Sequence, residues 1–362
     1  SHTQTHTHAC THTHTHTHTH THILMVLLSG WSVSRVFSPR VPFRSLSTAH
    51  NIGPEGNLRW DRKPKNVLIV KKEHIEVSNA LTRVAEFLRR EFGCTTYVEP
   101  QCECLDPDSQ VFSSSLVGRD TIDLVCSLGG DGTTLHVSSL FPHGATPPVL
   151  SFSLGTLGFL MPFNFNAYQE VLTQVMEGQC FVVERARIRC SVHRADSPGH
   201  KDFTIMNEVV IHRGSTLHPI LVECFLGDHL LTTSKADGLM VSTPTGSTAY
   251  SLSAGGSIVN PWAQCVILTP VCPQSLSFRP LVLPTNVEIC LRVPQEARFH
   301  PVLSMDSIIR TSLAHGDSVR VHPQEHCPLL TITGKAPLSV WVDDLNSQLK
   351  FNNPFSQARL SL

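Results

Sequence analysis

The stretch DLVCSLGGDGTTLHVSSL, residues 123–140, decides the reading of the fold. An apolar run ending at Leu128 enters a loop in which Gly129, Gly130 and Gly132 surround one carboxylate, Asp131, and Thr133 and Thr134 follow. A turn needs one glycine or two, so three around a carboxylate imply that something large approaches the backbone there. The residues after Gly132 have the spacing of a short helix, giving the order buried strand, glycine-rich loop, helix. Backbone N–H groups and the dipole at such a helix start favour phosphate, so Gly129, Gly130, Gly132 and Thr133 form a candidate phosphate-binding loop. The loop is not G-x-G-x-x-G, and G-x-x-x-x-G-K-[ST] occurs nowhere in the chain. Asp131 is the unusual member, because a carboxylate among phosphates repels them unless it holds Mg²⁺ or accepts a proton from an attacking hydroxyl. The plainer alternative is an Asp-Gly turn that caps the helix.

Outward from this loop, NVLIVK (66–71) reads as a buried strand and TTYV (95–98) as a short one. Between them Val77, Leu81, Val84, Ala85, Leu88 and Phe92 recur at helical steps up to Gly93. Residues 100–120 are polar and Ser-rich and read as a loop. PPVLSFSL gives another strand, and NAYQEVLTQVME (166–177) an amphipathic helix. Strand and helix in alternation predict a parallel sheet with helices packed on it. After about residue 180, short alternating runs such as CFVVERARIRCSV, FTIMNEVVIHR and ILVECFL dominate, with one short helical stretch near 248–259. This half reads as a sandwich or stacked sheets. The expected organisation is a disordered tail over 1–60, an α/β domain over 64–180, a mostly-β domain over 181–350 and a C-terminal tail over 351–362.

Two further stretches carry candidate chemistry. In NEVVIHR (207–213), Asn207 and Glu208 are a polar pair at a strand start among apolar neighbours. Such a pair can hold ribose hydroxyls and a base edge, or simply face solvent. SKADGLMVSTPTGSTAYSLSAGGSIV (234–259) gathers the hydroxyls of Thr243, Thr245, Ser247, Thr248, Ser251 and Ser253 around Pro244 and Gly246. Hydroxyls and free N–H groups at a helix start suit a polar ligand, and Tyr250 offers a ring for stacking. A linker of this composition is the alternative, but it lies between an apolar run and a periodic helix.

Composition excludes several classes. The 28 basic and 29 acidic residues give a net charge of −1, so neither nucleic acid nor an anionic membrane is attracted generally. The 12 cysteines show no C-x-x-C or paired metal-ligand spacing. Cys126, Cys224, Cys265 and Cys290 sit in apolar runs and read as buried thiols of a reducing interior. Residues 5–22 alternate Thr and His almost without break. That tract is either a metal-binding segment or, the simpler expectation, a translated repeat upstream of a start at Met25. Residues 25–50 are Ser-rich, hold Arg35, Arg40 and Arg44, and lack acidic groups, the composition of an organelle transit peptide. Mitochondrial delivery is the expectation, a cytoplasmic location the alternative.

Together GGDGTTL, LGTLGFL (154–160), NEVVI, DGLMVSTPTGSTAY with its AGG, and SLSFRPLVLP (275–284) resemble the successive signatures of the NAD kinase family over roughly residues 64–350. GGDG is shared with the diacylglycerol and sphingosine kinases of the same superfamily, whereas NEVVI with STPTGSTAY is much more specific to the nucleotide kinase branch. The resemblance implies a Rossmann-like α/β domain followed by a β-sandwich-type domain, with the site between them. It implies transfer of the ATP γ-phosphate to the adenosine-ribose 2′-hydroxyl of NAD or NADH, with Mg²⁺ or another divalent cation, in a homo-oligomer. By similarity Asp131 is the proton acceptor, Gly132 lies beside the nucleotide and Phe159 walls the adenine pocket. Asn207 and Glu208 hold NAD hydroxyls, Asp237 meets the nicotinamide side, and Thr245, Thr248, Ala249, Tyr250 and Ser253 line the dinucleotide. No protein metal ligand is implied. A lipid kinase of the superfamily and a non-catalytic NAD-binding sensor are the competing functions. Two positions depart from the family pattern: Ser307 follows Asp306 where Gly is common, and Thr134 stands where Leu is usual.

Overall fold

The structure is a computed structural model, and it describes residues 50–350 apart from 54, 72–77, 114–120, 156 and 308. The His/Thr tract and the transit-type segment lie outside the described residues. A short antiparallel hairpin, β1 (His50–Ile52) and β2 (Leu58–Trp60), comes first. The sequence reading left these residues in the tail. Leu58 is buried, and the Trp60 indole donates to the Val175 carbonyl at 2.6 Å, so the ordered fold begins before residue 60.

The first layer alternates strand and helix: β3 (Asn66–Lys71), α1 (Ser78–Phe92), β4 (Thr95–Val98), β5 (Gln110–Val111), β6 (Leu124–Gly129), α2 (Asp131–Leu140), β7 (Val149–Ser153), β8 (Phe163–Asn164) and α3 (Tyr168–Met176). Strands β7, β6, β3, β4 and β5 lie side by side, all parallel. Alternation of side chains explains why these strands read as continuous apolar runs. Val67 and Ile69 of β3 pack with α1 and α3, while Leu68 and Val70 face Val137 of α2. Both faces are therefore buried. Residues 100–105 form a 3₁₀ turn and Gln110–Val111 a strand, where the sequence reading expected only loop. The Arg89 guanidinium anchors this connection by a two-pronged contact with Asp106 at 2.6 and 2.9 Å.

The second part is β throughout: β9 (Phe181–His193), β10 (His200–Ile205), β11 (Glu208–His212), β12 (Ile220–Leu226), β13 (His229–Ala236), β14 (Gly238–Ser242), then the one-turn helix α4 (Tyr250–Ser253), β15 (Cys265–Val271), β16 (Leu281–Pro284), β17 (Ile289–Arg292), β18 (Val302–Met305), β19 (Ile309–Ser312) and β20 (Ser318–Thr333). Six antiparallel strands in the order β16-β15-β14-β11-β18-β19 make one sheet. The other is the antiparallel half of a 12-stranded sheet, whose long strands β9 and β20 pair with each other. Ile188, Cys190 and Val222 from one sheet meet Val209, Leu239 and Leu303 from the other in a single apolar core, the arrangement of a sandwich. Strand β20 also pairs in parallel with β7 at Thr331–Val149. One sheet thus runs without a break from the α/β layer into the sandwich. The chain then ends the described residues in α5 (Pro337–Gln348), a helix absent from the sequence reading.

Arginine burial at the junction repays attention to strand periodicity. Arg185, Arg187 and Arg189 alternate along β9 as a solvated face would, yet Arg187 is fully buried. It donates to the carbonyls of Ser138, Phe141 and Gly144 at 3.0, 2.8 and 2.6 Å and to that of Cys327 at 2.6 Å. A cation on the last carbonyls of α2 satisfies groups that the helix leaves open.

The turn after β18 holds Asp306 and Ser307 at φ 47° and 58°, a conformation that costs a side-chain-bearing residue roughly 1–2 kcal/mol. Ser307→Gly is expected to raise the thermal midpoint by a degree or two, since relief of that strain exceeds the entropy Gly loses on folding. Calorimetry of the variant checks it.

Candidate functional site

Asp131 is the first residue of α2, with Gly130 extended ahead of it (φ −135°, ψ −176°). The Thr133 N–H donates to the Gly130 carbonyl at 2.8 Å, and the Gly130 N–H reaches the Thr133 hydroxyl at 3.4 Å. Thr134, unusual for the family pattern, is buried with its hydroxyl 3.2 Å from that of Ser151 on β7. Its polar atom is thereby satisfied inside the core.

The Asp131 carboxylate turns away from its own helix and accepts the Leu160 N–H at 3.1 Å. This close approach depends on Gly158. A Cβ there would stand 2.3 Å from Asp131 Oδ1 and 2.7 Å from its carboxyl carbon, so the glycine of LGTLGFL clears the space the carboxylate fills. Burial pushes the Asp131 pKa up, while the Leu160 N–H and the Arg185 charge pull against that shift.

Arg185 and Asp344 were not found from the sequence. Arg185 is buried on β9 and donates through Nε to the Thr331 hydroxyl (3.1 Å) and through Nη2 to the Phe159 carbonyl (3.2 Å). Burial lowers its pKa to about 10, against the nearby carboxylates of Asp344 and Asp131. Asp344 of α5 is pushed up to about 6 by burial, with Arg185 opposing. One guanidinium therefore lies within electrostatic reach of two carboxylates and braces the backbone of the Phe159–Leu160 segment.

Beside this cluster opens a cleft. Phe159, Thr245 and Thr248 line it, as do Arg185, Trp262, Trp341 and Asp344. Aromatic walls with a few convergent polar groups are what a small-molecule site requires. Most hydroxyls of the 243–253 loop bond other protein atoms. Thr243 Oγ donates to the Met206 carbonyl at 2.6 Å, Thr248 Oγ to the Thr245 carbonyl at 3.1 Å, and Ser251 Oγ lies 2.9 Å from Thr269 Oγ. The buried Thr245 hydroxyl differs, having no hydrogen-bond partner among the described residues. A buried polar atom left without a partner calls for an outside one.

The Asn207–Glu208 pair sits at the start of β11, with Asn207 half-buried and Glu208 buried. Glu208 Oε2 also lacks a partner among the described residues. Asp237 pairs with Arg213 at 3.3 Å. The half-exposed Tyr250 phenol is pushed up chiefly by burial. Ala249 separates a 3₁₀ turn from α4, and Ser253 ends α4 with its side chain exposed.

Glu208 is pushed up to about 7 by burial, with Asp306 adding to the shift. Between its ordinary value near 4.5 and about 7, the folded chain keeps a proton that the unfolded chain has lost. Stability therefore falls as pH rises through that window. Glu208→Gln is expected to match the wild type near pH 4 and to exceed it at pH 8 by an order of 1–3 kcal/mol. Denaturant titrations at the two pH values check the sign.

Fold and site together define a protein that joins a glycine-loop α/β layer, bearing one buried carboxylate, to a β-sandwich with a hydroxyl-rich loop. Residues 67–180 match the ATP-NAD kinase N-terminal domain, and residues 206–330 match the ATP-NAD kinase C-terminal domain. The chain belongs to the ATP-NAD kinase family. It is 35% identical over 322 residues to the mitochondrial NADH kinase pos5 of Schizosaccharomyces pombe, covering 86% of this chain and 82% of that one. It is 37% identical over 355 residues to the chloroplastic NAD kinase 2 of Arabidopsis thaliana, covering 93% of this chain but 35% of the plant protein. The chain thus spans about a third of that relative's length. Among solved structures, yeast NADH kinase complexed with NADH superposes with a TM-score of 0.78 at 31% identity, over 87% of this chain and 95% of that one.

Proposed function

We propose that the chain is an NAD(H) kinase that transfers the γ-phosphoryl group of ATP to the adenosine-ribose 2′-hydroxyl of NAD or NADH. The observation that carries the reading is the Asp131 carboxylate, held against Gly158 and beside the aromatic cleft, where the Thr245 hydroxyl has no partner among the described residues. The family and the NADH-bound yeast relative support the substrate class.

In this reading the 2′-oxygen attacks the γ-phosphorus and the bond from that phosphorus to the β–γ bridging oxygen breaks, releasing ADP. The hydroxyl proton passes to Asp131. Desolvation keeps that carboxylate more basic than one in water, which suits a proton acceptor. Phosphoryl transfer otherwise requires alignment and charge neutralisation. Phe159, Trp262 and Trp341 offer faces for an aromatic base, and Asn207, Glu208 and Thr245 offer partners for hydroxyls.

A divalent cation supplies neutralisation of the triphosphate. Among the described residues no cluster of three or more His, Cys, Asp or Glu is arranged to hold one. In this reading the cation is carried on the nucleotide's phosphates, as Mg²⁺ usually is. Mitochondrial delivery goes with this reading, in keeping with the transit-type composition of residues 25–50 and the mitochondrial relative from fission yeast.

The test is a coupled assay in which NAD and NADH are each offered with ATP and Mg²⁺, and the product is read with a dehydrogenase specific for NADP(H). Formation of NADP(H), abolished by EDTA, is the expected result. Phosphorylation of a sphingoid base or diacylglycerol but not of NAD, or tight NAD binding without product, would overturn it.

A further inference from the structure

Strand β18 ends at Met305, and the chain then passes through two consecutive left-handed residues, Asp306 and Ser307. Non-glycine residues in that region persist only where surrounding contacts hold them there, and such strain clusters at ligand sites. Here the conformation turns the Asp306 side chain toward the start of β11. Asp306 Oδ2 accepts the Met206 N–H at 2.8 Å, and Oδ1 accepts those of Asn207 and Glu208 at 2.7 and 3.2 Å. The Asp306 N–H donates to the Glu208 carbonyl at 3.0 Å.

The other side of the same three residues is held equally firmly. The Thr243 hydroxyl donates to the Met206 carbonyl at 2.6 Å, and the Thr243 N–H to the Asn207 carbonyl at 2.9 Å. A Cβ on Gly246 would stand 2.1 Å from the Asn207 carbonyl oxygen, so the STPTG turn packs directly on that peptide. Every backbone N–H and C=O of residues 206–208 is thus engaged in these contacts. Charge-assisted bonds to a carboxylate are the stronger class of hydrogen bond, and one side chain provides all three acceptor contacts.

We infer that Asp306 is a positioning residue: through the three N–H groups it grips, it sets where the Asn207 and Glu208 side chains stand relative to the binding loop. Asp306 is itself buried and does not line the cleft. It acts through the backbone of the pair, with Thr243 and Gly246 as the opposing clamp. The inference rests on the proposed reading that Asn207 and Glu208 contact NAD hydroxyls.

A double-mutant cycle with NAD as the probe tests it, using the full chain and reading both the NAD dissociation constant and kcat. Asp306→Ala is expected to weaken NAD binding at least tenfold, and Asp306→Asn, which keeps one acceptor oxygen, by about threefold. In a background carrying Asn207→Ala and Glu208→Gln, the same Asp306 substitutions should add less than twofold, because their route to the ligand has been removed. If Asp306→Ala does not fold, the Asp306→Asn arm carries the cycle. Equal effects in both backgrounds, or unchanged NAD affinity alongside a lowered thermal midpoint, would show a merely structural role and overturn the inference. The cycle reads binding and so stands apart from the function: a wild type that binds NAD without making NADP defeats the proposed reaction, whereas additivity in an active kinase defeats only the role of Asp306.

Discussion

Asp131→Asn is expected to lower kcat by about 10²–10⁴ while KM for NAD stays within about threefold. That range is what a positioned general base contributes. The amide is nearly the same size and can still accept the Leu160 N–H through its carbonyl oxygen, so the contact at 3.1 Å survives. What is lost is the basic oxygen. The local charge balance also changes, since Arg185 would face Asp344 without the second carboxylate. Steady-state kinetics of the variant, with the thermal midpoint as a control for folding, decide the matter. A kcat within tenfold of the wild type would remove Asp131 from the proton-acceptor role.

Gly158→Ala should cost about 10- to 100-fold in kcat with little loss of stability. The added Cβ would meet all three outer atoms of the Asp131 side chain, at 2.3, 2.7 and 2.8 Å. No real contact is that short, but the colliding group is the end of a side chain and can swing aside. The backbone at Gly158 is not in the left-handed region, so alanine adds no conformational penalty of its own. The displaced carboxylate gives up the Leu160 N–H and moves by about an ångström or more, a misplacement that can cost on the order of 10²-fold. A crystal or NMR comparison of the Asp131 rotamer, beside the rate, checks cause as well as effect. An active Gly158→Ala enzyme whose carboxylate has moved would mean that its position does not matter.

Legibility of the fold followed the physics of each half. In the α/β layer, strands buried on both faces read as apolar runs and α1 shows plain helical spacing, so β3, β4, β6, β7, α1 and α3 were visible as sequence. The sandwich was visible as a type because short alternating runs and turn residues recur. Helix α5 was not, because Leu338, Val340 and Val342 fall at two-residue steps that imitate a strand. Arg185 was hidden for a similar reason, standing in an alternating row of arginines on β9 that looks solvated.

Within the candidate site, Asp131 stood out through its three glycines, more than an Asp-Gly turn capping a helix requires. Gly158 was legible only as part of a family signature; its reason, room for a carboxylate from another element, needs three dimensions. In the hydroxyl-rich loop, composition alone does not show which hydroxyls the protein uses itself: Thr243, Ser247, Thr248 and Ser251 bond other protein atoms, while the Thr245 hydroxyl has no partner among the described residues. The Asp306 grip on residues 206–208 joins segments about a hundred residues apart in the chain, and no local pattern announces it.

The most direct test of the whole account is a crystal structure of the chain with NAD bound. The account predicts an Asp131 carboxylate oxygen about 2.6–3.2 Å from the adenosine-ribose 2′-oxygen, with the adenine against Phe159. A dinucleotide bound in the cleft with no ribose oxygen within hydrogen-bond reach of Asp131 would contradict it.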